Sequence, residues 1–503
     1  MTNHLFDAFR GFMPNPGATF IETLNGHILT YADMLDLSAR FANVLVDEGV
    51  KKGDRVAVQV EKSAEVLMLY LACVRCGAVY LPLNTGYTIA ELEYFFNDAK
   101  PALIVVAPEN TEKLSALIAD CGAVMESLGD HGDGTLMEKA FKASAAFIDV
   151  VCNADDLAAI LYTSGTTGRS KGAMLSHNNL LSNALTLRDY WQFTSADRLI
   201  HALPIFHTHG LFVATNCVLV SGASMFLLPK FDPEAIIARL SQATVLMGVP
   251  TFYVRLAQDE RVNRASTVSM RLFISGSAPL LAETHKRFRE KTGHAILERY
   301  GMTETNMNTS NPYNGERIAG TVGFPLPDVE IRVMDMETGA PLPHGQTGML
   351  EVRGPNVFKG YWNMPEKTKE ELRDNGFFIT GDLGLMDDKG YVHIVGRGKD
   401  LVISGGYNIY PKEVEGEIDL IDGVVESAVI GVPHQDFGEG VTAIVVPQKD
   451  AHLNEDDMIA SLTEKLARYK LPKRIIFVEE LPRNTMGKVQ KNILREIYHH
   501  IYQ

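Results

Sequence analysis

The sequence predicts an α/β protein with a large N-terminal domain of layered α/β sheets plus a small β-rich subdomain, followed by a small α+β C-terminal domain. The chain has 503 residues, more than one hydrophobic core usually holds, so two or more domains are expected. Strand–helix–strand units recur in its first part, which favours a largely parallel sheet. After about residue 320, short alternating strands separated by Gly and Pro turns replace them.

The large domain is predicted from the spacing of apolar residues. Residues 31–50 have the apolar spacing of a helix. Two later stretches each follow the order strand, helix, strand. The predicted elements of these stretches are a strand at 54–60, a helix from Ser63 and a strand at 78–83, then a strand at 244–250, a helix through Tyr253 to Leu256 and a strand at 270–276.

The β-rich subdomain is predicted from three short strands at 329–335, 348–354 and 390–397. A new compact pattern starts at about residue 399, so we expect the domains to cover 1–398 and 399–503. The predicted elements of the C-terminal domain are a helix from Pro411, strands at 427–433 and 441–447, a helix from Asn454 to Ala467 and a strand within 474–481.

The composition is that of an ordinary soluble globular protein, with 46% apolar and 22% charged residues. The net charge of −15 argues against nucleic acid or an anionic membrane surface as the main partner. The sequence contains no apolar run of the roughly 18 residues that a membrane span needs. No signal peptide is recognised at the N-terminus, so a cytoplasmic protein is expected. Five cysteines in this length do not form a disulfide framework.

The segment 161–175, LYTSGTTGRSKGAML, has the composition of a phosphate-binding loop. It differs from the G-x-x-x-x-G-K-[ST] loop of the NTPases. Backbone N–H groups and hydroxyls between two strands can surround an anion, and Lys171 adds a positive charge. A Ser/Thr/Gly turn alone is usually only a turn, but the order Y-T-S-G-T-T-G-x-x-K-G is specific. The candidate phosphate ligands are Thr163, Ser164, Gly165, Thr166, Thr167, Gly168 and Lys171.

Charged side chains at four further positions suggest the rest of a nucleotide site. A carboxylate beside a phosphate loop is repulsive unless a divalent cation lies between them, so we interpret Glu304 as a Mg²⁺ ligand. Asp382, in a T-G-D turn, suits hydrogen bonds from ribose hydroxyls, and Arg397 follows at the end of the next hairpin. Lys488 follows a glycine in a turn-rich segment near the C-terminus. Each of these residues alone would more often be an ordinary turn or surface residue.

Together, the order and spacing of these motifs resemble the AMP-forming acyl-CoA synthetases of the adenylate-forming ANL superfamily, which includes luciferases and peptide-synthetase adenylation domains. The resemblance covers nearly the whole chain. One departure is Ser170, which stands where the family usually has proline. The other stretches that carry the resemblance are LPIFHTHG (203–210), SGSAPL (275–280), GMLEVRGPNVFKGYWNMPEKT (348–368) and GGYNIYPKEVE (405–415).

The resemblance implies a role for each matching position. ATP and Mg²⁺ would be bound by the phosphate loop, with Thr163 and Glu304 near the metal, and coenzyme A would be the co-substrate. Lys488, Thr303, Glu304 and His207 would be catalytic, with His207 at the edge of the acyl site or simply packed in the core. The other implied binding residues are Gly276, Ser277, Ala278, Arg299, Tyr300, Gly301 and Met302 for adenine and the acyl group, Asp382 and Arg397 for ribose, Lys399 at a hinge, and Gly405 and Gly406 beside the pantetheine arm.

The resemblance also implies two half-reactions. A substrate carboxylate attacks the α-phosphorus of ATP to form an acyl-adenylate, and pyrophosphate leaves. The small C-terminal domain, which is mobile in the family, then rotates, Lys488 leaves the site, and the CoA thiol displaces AMP. A lysine acetyltransferase and a deacetylase are possible partners, because this lysine is acetylated in bacterial relatives.

Two arginines indicate which acid is used. Arg299 precedes Tyr300 where many members of the family have glycine, and Arg255 lies on a helix after a strand that borders the acyl site. Two cations beside an acyl site favour a second carboxylate, so the chain resembles malonyl-CoA synthetases, with methylmalonate as another diacid substrate. The alternatives are that Arg299 pairs with Glu298 or Glu304 and that Arg255 is solvated.

Two other functions remain open from the sequence. A medium-chain or aromatic acyl-CoA ligase would need an apolar acyl site without a buried arginine. A peptide-synthetase type of adenylation enzyme would load a carrier protein instead of CoA.

Overall fold

The computed structural model describes residues 3–163, 170–405, 407–484 and 487–502. The chain divides into two compact units. The first comprises Met1–Glu330 and Arg353–Phe378, and the second comprises Ile331–Val352 and Ile379–Gln503. The β-rich part of the chain thus falls largely in the second unit, whereas the boundary between residues 398 and 399 stays a prediction.

The first unit contains a mostly parallel sheet of six strands within the described residues. Neighbouring strands run parallel except at one edge, where β7 and β8 form an antiparallel hairpin. The buried faces of this sheet are rich in β-branched residues, as expected for strands covered on both sides. In spatial order the strands are β6 (Val124–Ser127), β5 (Leu103–Val106), β3 (Arg55–Gln59), β4 (Val79–Pro82), β7 (Leu157–Thr163) and β8 (Lys171–Ser176).

A second sheet of the same unit has nine strands in the described part of the chain. Its six central strands are parallel, and antiparallel strands complete both edges. In spatial order they are β15 (Phe324–Pro325), β14 (Asn306–Ser310), β13 (Leu297–Met302), β12 (Leu272–Ser275), β11 (Val245–Gly248), β9 (Arg198–His201), β10 (Ser224–Leu227), β1 (Thr19–Thr23) and β2 (Ile28–Thr30).

Helices cover these sheets, and local sequence sets their ends. Thr30 caps α2 through a reciprocal capping box with Asp33. Every residue of α3 except Glu65 is buried, which suits a helix that is apolar all round. The helices of this unit are α1 (His4–Phe12), α2 (Tyr31–Asp47), α3 (Ala64–Cys76), α4 (Ile89–Ala99), α5 (Thr111–Asp120), α6 (Thr135–Ala140), α7 (His177–Tyr190), α8 (Asn216–Leu219), α9 (Pro233–Ile237), α10 (Pro250–Gln258), α11 (Ala282–Thr292) and α12 (Pro365–Glu371), with a π-helical segment at His209–Thr215.

In its described residues, the second unit contains two smaller sheets. One comprises β16 (Glu330–Met334), β17 (Gly348–Arg353), β18 (Phe378–Met386) and β19 (Val392–Arg397). The other comprises β21 (Tyr407–Ile409), β20 (Val402–Ser404), β23 (Gly438–Pro447) and β22 (Val424–His434), with β24 (Arg474–Phe477) beside β23. The helices of this unit are α13 (Pro411–Ile418), α14 (Glu455–Leu462) and α15 (Lys491–Tyr498).

Alternate residues of β22 belong to different cores. Val429 packs in one apolar cluster, whereas Ala428 and Ile430 pack in another on the opposite face. The sheet is therefore covered on both faces, which explains why 427–433 and 441–447 are nearly continuous apolar runs.

The predicted α/β fold class, with a large N-terminal and a small C-terminal domain, is confirmed. The predicted length of one helix is wrong, because α14 ends at Leu462 instead of Ala467. The Thr463 N–H donates to the carbonyl of Ala460, three residues back, and so closes the last turn. Among the described residues, no helix is long and apolar enough to cross a membrane.

Candidate active site

The two ends of the predicted phosphate loop face each other across the β7–β8 hairpin. Thr163 ends β7 and pairs with Lys171 at the start of β8, and the Thr163 hydroxyl lies 3.4 Å from the Lys171 carbonyl oxygen. The other predicted phosphate ligands, Ser164, Gly165, Thr166, Thr167 and Gly168, lie outside the described residues. The structure therefore places the lysine of the motif at one edge of the six-stranded sheet.

The ammonium group of Lys171 contacts two side chains to which the sequence assigned no role. Its Nζ lies 3.1 Å from the Tyr361 hydroxyl and 3.2 Å and 3.1 Å from the two carboxylate oxygens of Glu371. Although burial opposes ionisation, hydrogen bonds from Tyr361, Lys367 and Lys171 lower the pKa of Glu371. Glu371 is therefore an anion at neutral pH, paired with the lysine of the phosphate motif.

Glu304 joins the same network from the turn between β13 and β14. Its side chain is almost fully buried, and its Oε1 lies 2.9 Å from the Tyr361 hydroxyl. The same hydroxyl lies 2.6 Å from Oε2 of Glu371. Burial, together with the charges of Glu304 and Glu371, raises the pKa of Tyr361, so the phenol keeps its proton. Thr303, partly exposed, lies in the same turn.

The acidic residues fit a metal that is held partly by substrate. Among the described residues, no group of three or more His, Cys, Asp or Glu side chains is arranged to hold a metal by itself. Mg²⁺ in nucleotide enzymes is commonly held by one or two carboxylates together with phosphate oxygens and water. Buried Glu304 is a suitable carboxylate, and its assignment as a Mg²⁺ ligand stays a prediction, as does that of Thr163.

The predicted adenine residues lie at the ends of β12 and β13. Gly301 leaves no room for a side chain, because a Cβ there would lie 1.8 Å from the Asn306 carbonyl oxygen. Ser277 has a left-handed backbone, with φ of 72°. Tyr300, Met302 and Ala278 are partly exposed beside these positions. These residues therefore form an accessible edge at which a flat base could bind.

Arg299, on β13, is a buried cation. Its side chain is 3% exposed, and neither Nε nor Nη2 has a hydrogen-bond partner among the described residues. Burial lowers the pKa of Arg299 to about 9, so the guanidinium remains charged at neutral pH. It packs on Gly276, where a Cβ would lie 2.4 Å from its Cζ. An unpaired buried guanidinium is costly unless an anion completes the site.

His209, at the start of the π-helical segment, is a further polar group near Arg299. Its Nδ1 lies 3.2 Å from the Ser277 hydroxyl, and its buried Nε2 lacks a partner in the described part of the chain. Burial, and next the charge of Arg299, lower the pKa of His209, so the ring is neutral. When Ser277 donates to Nδ1, the proton lies on Nε2 and gives a second unused donor.

His207, which the sequence favoured at this position, is only partly buried, and its Nδ1 accepts a hydrogen bond from the backbone N–H of His209 at 3.3 Å. No pattern in the sequence indicates His209, because only the folded chain brings it close to Ser277.

Arg255, the second arginine that the sequence placed beside the acyl site, is not a buried cation like Arg299, and its role stays a prediction. Arg255 lies near the end of α10 with its side chain exposed, and its guanidinium lies 5.7 Å from the centroid of the Phe231 ring. A hydrated guanidinium has no need of a carboxylate partner. The helical prediction for this segment was right, but helical periodicity does not tell which face of α10 is covered.

In the second unit, the predicted ribose residues pair with each other. Asp382 and Arg397 lie opposite each other on β18 and β19, with 3.0 Å between Arg397 Nε and Asp382 Oδ1. Asp382 is buried, and its backbone N–H donates to the Thr380 hydroxyl at 3.0 Å. The pair therefore holds a carboxylate in a fixed position at the strand edge.

Lys399, the predicted hinge residue, lies in a single 3₁₀ turn at Gly398–Asp400. Much of the Lys399 side chain is exposed. Partial burial of the amine nevertheless lowers the pKa of Lys399 to about 8. The charge of Asp400 opposes this shift, whereas the charges of Arg397 and Arg495 add to it. A lysine with two arginine neighbours is thus less basic than an ordinary lysine.

Lys488 lies exposed at the end of a tight turn. Its backbone N–H donates to the Asn484 side chain at 2.9 Å, and its carbonyl accepts from the Asn484 N–H at 2.9 Å. Gly487, with φ of 75°, allows this turn. Gly405 has φ of 60°, and its neighbour Gly406 lies outside the described residues.

Comparisons with known proteins agree with this arrangement over both units. The sequence profile of AMP-binding enzymes matches residues 13–362, and that of the AMP-binding enzyme C-terminal domain matches 413–488. Feruloyl-CoA synthase from Amycolatopsis sp is 37% identical over 486 residues, which is 96% of each chain. Malonate–CoA ligase from Arabidopsis thaliana is 36% identical over 487 residues, which is 89% of this chain and 78% of that protein.

A solved structure is also similar over its full length. ATP-bound MatB from Rhodopseudomonas palustris is 61% identical, has a TM-score of 0.98 and is covered completely, as is this chain. The match of both profiles, the fold and the order of the motifs all lead to one family. The chain belongs to the AMP-binding enzymes and is an AMP-forming acyl-CoA synthetase of the adenylate-forming ANL superfamily, an acid–thiol ligase.

Proposed function

We propose that this acyl-CoA synthetase joins malonate to coenzyme A and forms malonyl-CoA, AMP and pyrophosphate, with methylmalonate as a second diacid substrate. In the first half-reaction, one malonate carboxylate attacks the α-phosphorus of ATP and pyrophosphate leaves. In the second half-reaction, the CoA thiol attacks the acyl carbon and AMP leaves. The second carboxylate of malonate does not react and has to be held.

The observation that supports a diacid is the buried Arg299 with unused donors at Nε and Nη2. A guanidinium binds a carboxylate through two parallel hydrogen bonds, and its charge persists on burial. The neutral His209 offers a further donor beside it. A monocarboxylate with an apolar tail would leave these donors unpaired at a cost of about 1–3 kcal/mol each.

The phosphates of ATP would bind in the first unit, beside Lys171, Tyr361 and Glu304. Negative charge builds up on the departing pyrophosphate, and the Lys171 ammonium can stabilise it. Mg²⁺ held by Glu304 would supply further stabilisation of the phosphate charge when it is bound. Glu304 itself therefore serves as a fixed ligand rather than as an acid or base.

The second unit supplies the remaining groups of the proposal. Asp382 would accept hydrogen bonds from the ribose hydroxyls, with Arg397 holding its carboxylate in place. Lys488 would bridge the substrate carboxylate and ATP during adenylate formation and align them for attack. Lys399 would be the hinge, and Gly405 would leave space for the pantetheine arm.

Malonate and methylmalonate can be tested against other acids in one assay. We would measure pyrophosphate release with malonate, methylmalonate, butyrate, octanoate, benzoate and ferulate, each with and without CoA. The proposal expects the two diacids to have the highest kcat/KM. Preference for ferulate would favour an aromatic acyl-CoA ligase, as the feruloyl-CoA synthase relatives suggest. Adenylate formation without transfer to CoA would favour an enzyme that loads a carrier protein.

Regulation through Lys488 is a further part of this proposal. Acetylation would remove its charge, and Lys488 itself is exposed, as modification by an acetyltransferase and a deacetylase requires. These partners and a cytoplasmic location stay predictions. Full adenylate formation by enzyme acetylated at Lys488 would argue against the switch.

A further inference from the structure

We propose that Arg483 is a positioning residue for adenylate formation, which holds Lys488 in place through the backbone carbonyl of Gly487 and is itself held by Glu426. The inference rests on the role of Lys488 in the proposed function and names the residues on which that role depends. Arg483 lies five residues before Lys488, and neither Arg483 nor Glu426 was a candidate site residue from the sequence.

The segment around Lys488 folds back on itself. The Asn484 N–H donates to the Lys488 carbonyl at 2.9 Å, and Arg483 lies opposite Val489 in an isolated antiparallel bridge. The two arms of the turn therefore lie side by side, with Arg483 on one arm and Lys488 on the other.

The guanidinium of Arg483 connects the two arms. Its Nη1 donates to the carbonyl oxygen of Gly487 at 2.6 Å. This carbonyl and the N–H of Lys488 belong to one planar peptide group, and that N–H donates to the Asn484 side chain at 2.9 Å. Arg483 and Asn484 therefore hold opposite ends of the peptide group that precedes the Lys488 side chain.

Glu426 lies on β22 and pairs with the same guanidinium. Nη2 of Arg483 donates to Oε2 of Glu426. The Arg483 side chain is 29% exposed and that of Glu426 is 26% exposed, so salt screens this pair less than a fully exposed one. Apolar clusters cover both faces of the sheet that contains β22, so Glu426 ties the guanidinium to a well-packed strand.

A second ion pair holds the chain just after Lys488. Lys491, the first residue of α15, has its Nζ 2.5 Å from Oε1 of Glu415 on α13. The same oxygen accepts from the Val429 N–H at 2.8 Å. The lysine side chain is itself long and flexible, and a misplacement of about 1 Å can cost about 100-fold in a reaction that depends on alignment. A fixed backbone on both sides of Lys488 therefore matters for its proposed role.

Another arginine of the second unit provides a matched control. Nε of Arg474, on β24, lies 2.9 Å from Oε1 of Glu455, and these side chains are 48% and 28% exposed. Arg474→Met removes the same charge and the same kind of ion pair from the same unit, but it leaves both bonds of Arg483 in place.

The experiment measures the two half-reactions separately, with malonate or with the acid that the substrate assay ranks first. Adenylate formation is followed as pyrophosphate release without CoA, and thioester formation is followed from supplied acyl-adenylate and CoA. We expect Arg483→Met to slow adenylate formation about 10- to 100-fold through misalignment of Lys488, with thioester formation close to the wild-type rate. Arg474→Met should leave both rates unchanged.

Glu426 is tested in a double-mutant cycle. Glu426→Gln should slow adenylate formation less than Arg483→Met does, because the bond to the Gly487 carbonyl remains. The double variant should be no slower than Arg483→Met alone, since Glu426 acts through Arg483. Additive losses in the double variant would contradict this order of action.

Three other outcomes would overturn the proposal. Equal losses in both half-reactions of Arg483→Met, or an equal loss in Arg474→Met, would mean that Arg483 only supports the fold of the second unit. A wild-type rate of adenylate formation in Arg483→Met, with that rate lost in Lys488→Ala, would show that Lys488 does not need Arg483. A wild-type rate in Lys488→Ala would instead refute the proposed role of Lys488 and this inference with it, so the two failures can be distinguished.

Discussion

At the scale of the residue, burial sets the protonation state of three histidines in the first unit. His177, His201 and His209 are all fully buried, and burial is the main reason that the pKa of each is lowered, to about 4 for His177. In the unfolded chain these side chains would titrate near pH 6.5. Folding therefore excludes protons that the unfolded chain binds in acid.

This difference predicts a loss of stability in acid. Below pH 6.5 the unfolded state takes up protons that the native state refuses, so stability falls as the pH decreases from about 6.5 toward 4. Each histidine contributes up to about 1.4 kcal/mol per pH unit. Asp419 has the opposite effect on stability. Burial raises its pKa to about 7, so the native state binds about one proton that the unfolded state releases. Three histidines against one aspartate leave a net decline.

Calorimetric unfolding between pH 8 and pH 4.5 tests this expectation. The midpoint should change little above pH 7 and should fall below pH 6.5. His177→Phe should reduce the slope of stability against pH by the equivalent of about one proton. The same change at His131, whose side chain is 88% exposed, should leave the slope unchanged. A midpoint that is constant from pH 6.5 to 5, or equal slopes in the two variants, would contradict the assignment.

From the sequence, the types of residue at the candidate site could be predicted better than the burial and the partners of each side chain. Arg299 and Arg255 were equivalent candidates, yet one is buried and the other exposed. Glu371 is one of two adjacent glutamates, and its contacts with Tyr361 and Lys171 distinguish it from Glu370. Motif order made Glu304 and Lys171 candidates, because those positions follow local patterns, whereas burial and pairing depend on segments far apart in the chain.

At the scale of the element, strands were easier to predict than helix ends. The apolar runs at 427–433 and 441–447 lie within β22 and β23, since continuous burial leaves a clear pattern. The end of α14 depends on one i−3 hydrogen bond and on packing, neither of which periodicity reports. The π-helical segment at His209–Thr215 has no periodic signature that would have revealed it.

The 3₁₀ turn that contains Lys399 is the expected hinge, so a proline there should affect one half-reaction more than the other. If the family's rotation occurs there, one residue has to change φ and ψ between the half-reactions. Lys399→Pro fixes φ near −65° and should block one of the two conformations. We expect adenylate formation, measured as pyrophosphate release without CoA, to be retained while thioester formation collapses.

A substitution at a partly exposed lysine of the same unit, Lys412→Pro at the start of α13, is the matched control for a general effect of proline. It should leave both half-reactions close to wild type, because proline is tolerated in the first turn of a helix. Equal loss of both half-reactions in Lys399→Pro would mean that the substitution had damaged the fold instead of a hinge.

In the whole molecule, we expect the two half-reactions to depend on different groups. Lys488→Ala should reduce adenylate formation at least 100-fold, since it removes the charge that aligns carboxylate and ATP. Thioester formation from supplied malonyl-adenylate and CoA should remain, because the second half-reaction, as proposed, does not use Lys488. Adenylate formation within tenfold of the wild-type rate would refute the assignment of Lys488.

In the proposed function, the enzyme selects a diacid through a buried guanidinium. The most direct measurement is the ratio of kcat/KM for malonate to that for butyrate in the wild type, in Arg299→Met and in Arg255→Met. Removing one partner of a buried ion pair costs about 3–5 kcal/mol, so the ratio should fall about a hundred- to several-thousand-fold in Arg299→Met. It should change little in Arg255→Met, whose guanidinium is exposed. An unchanged ratio in Arg299→Met would show that Arg299 does not bind the second carboxylate, and the enzyme would then be a general short-chain acyl-CoA ligase.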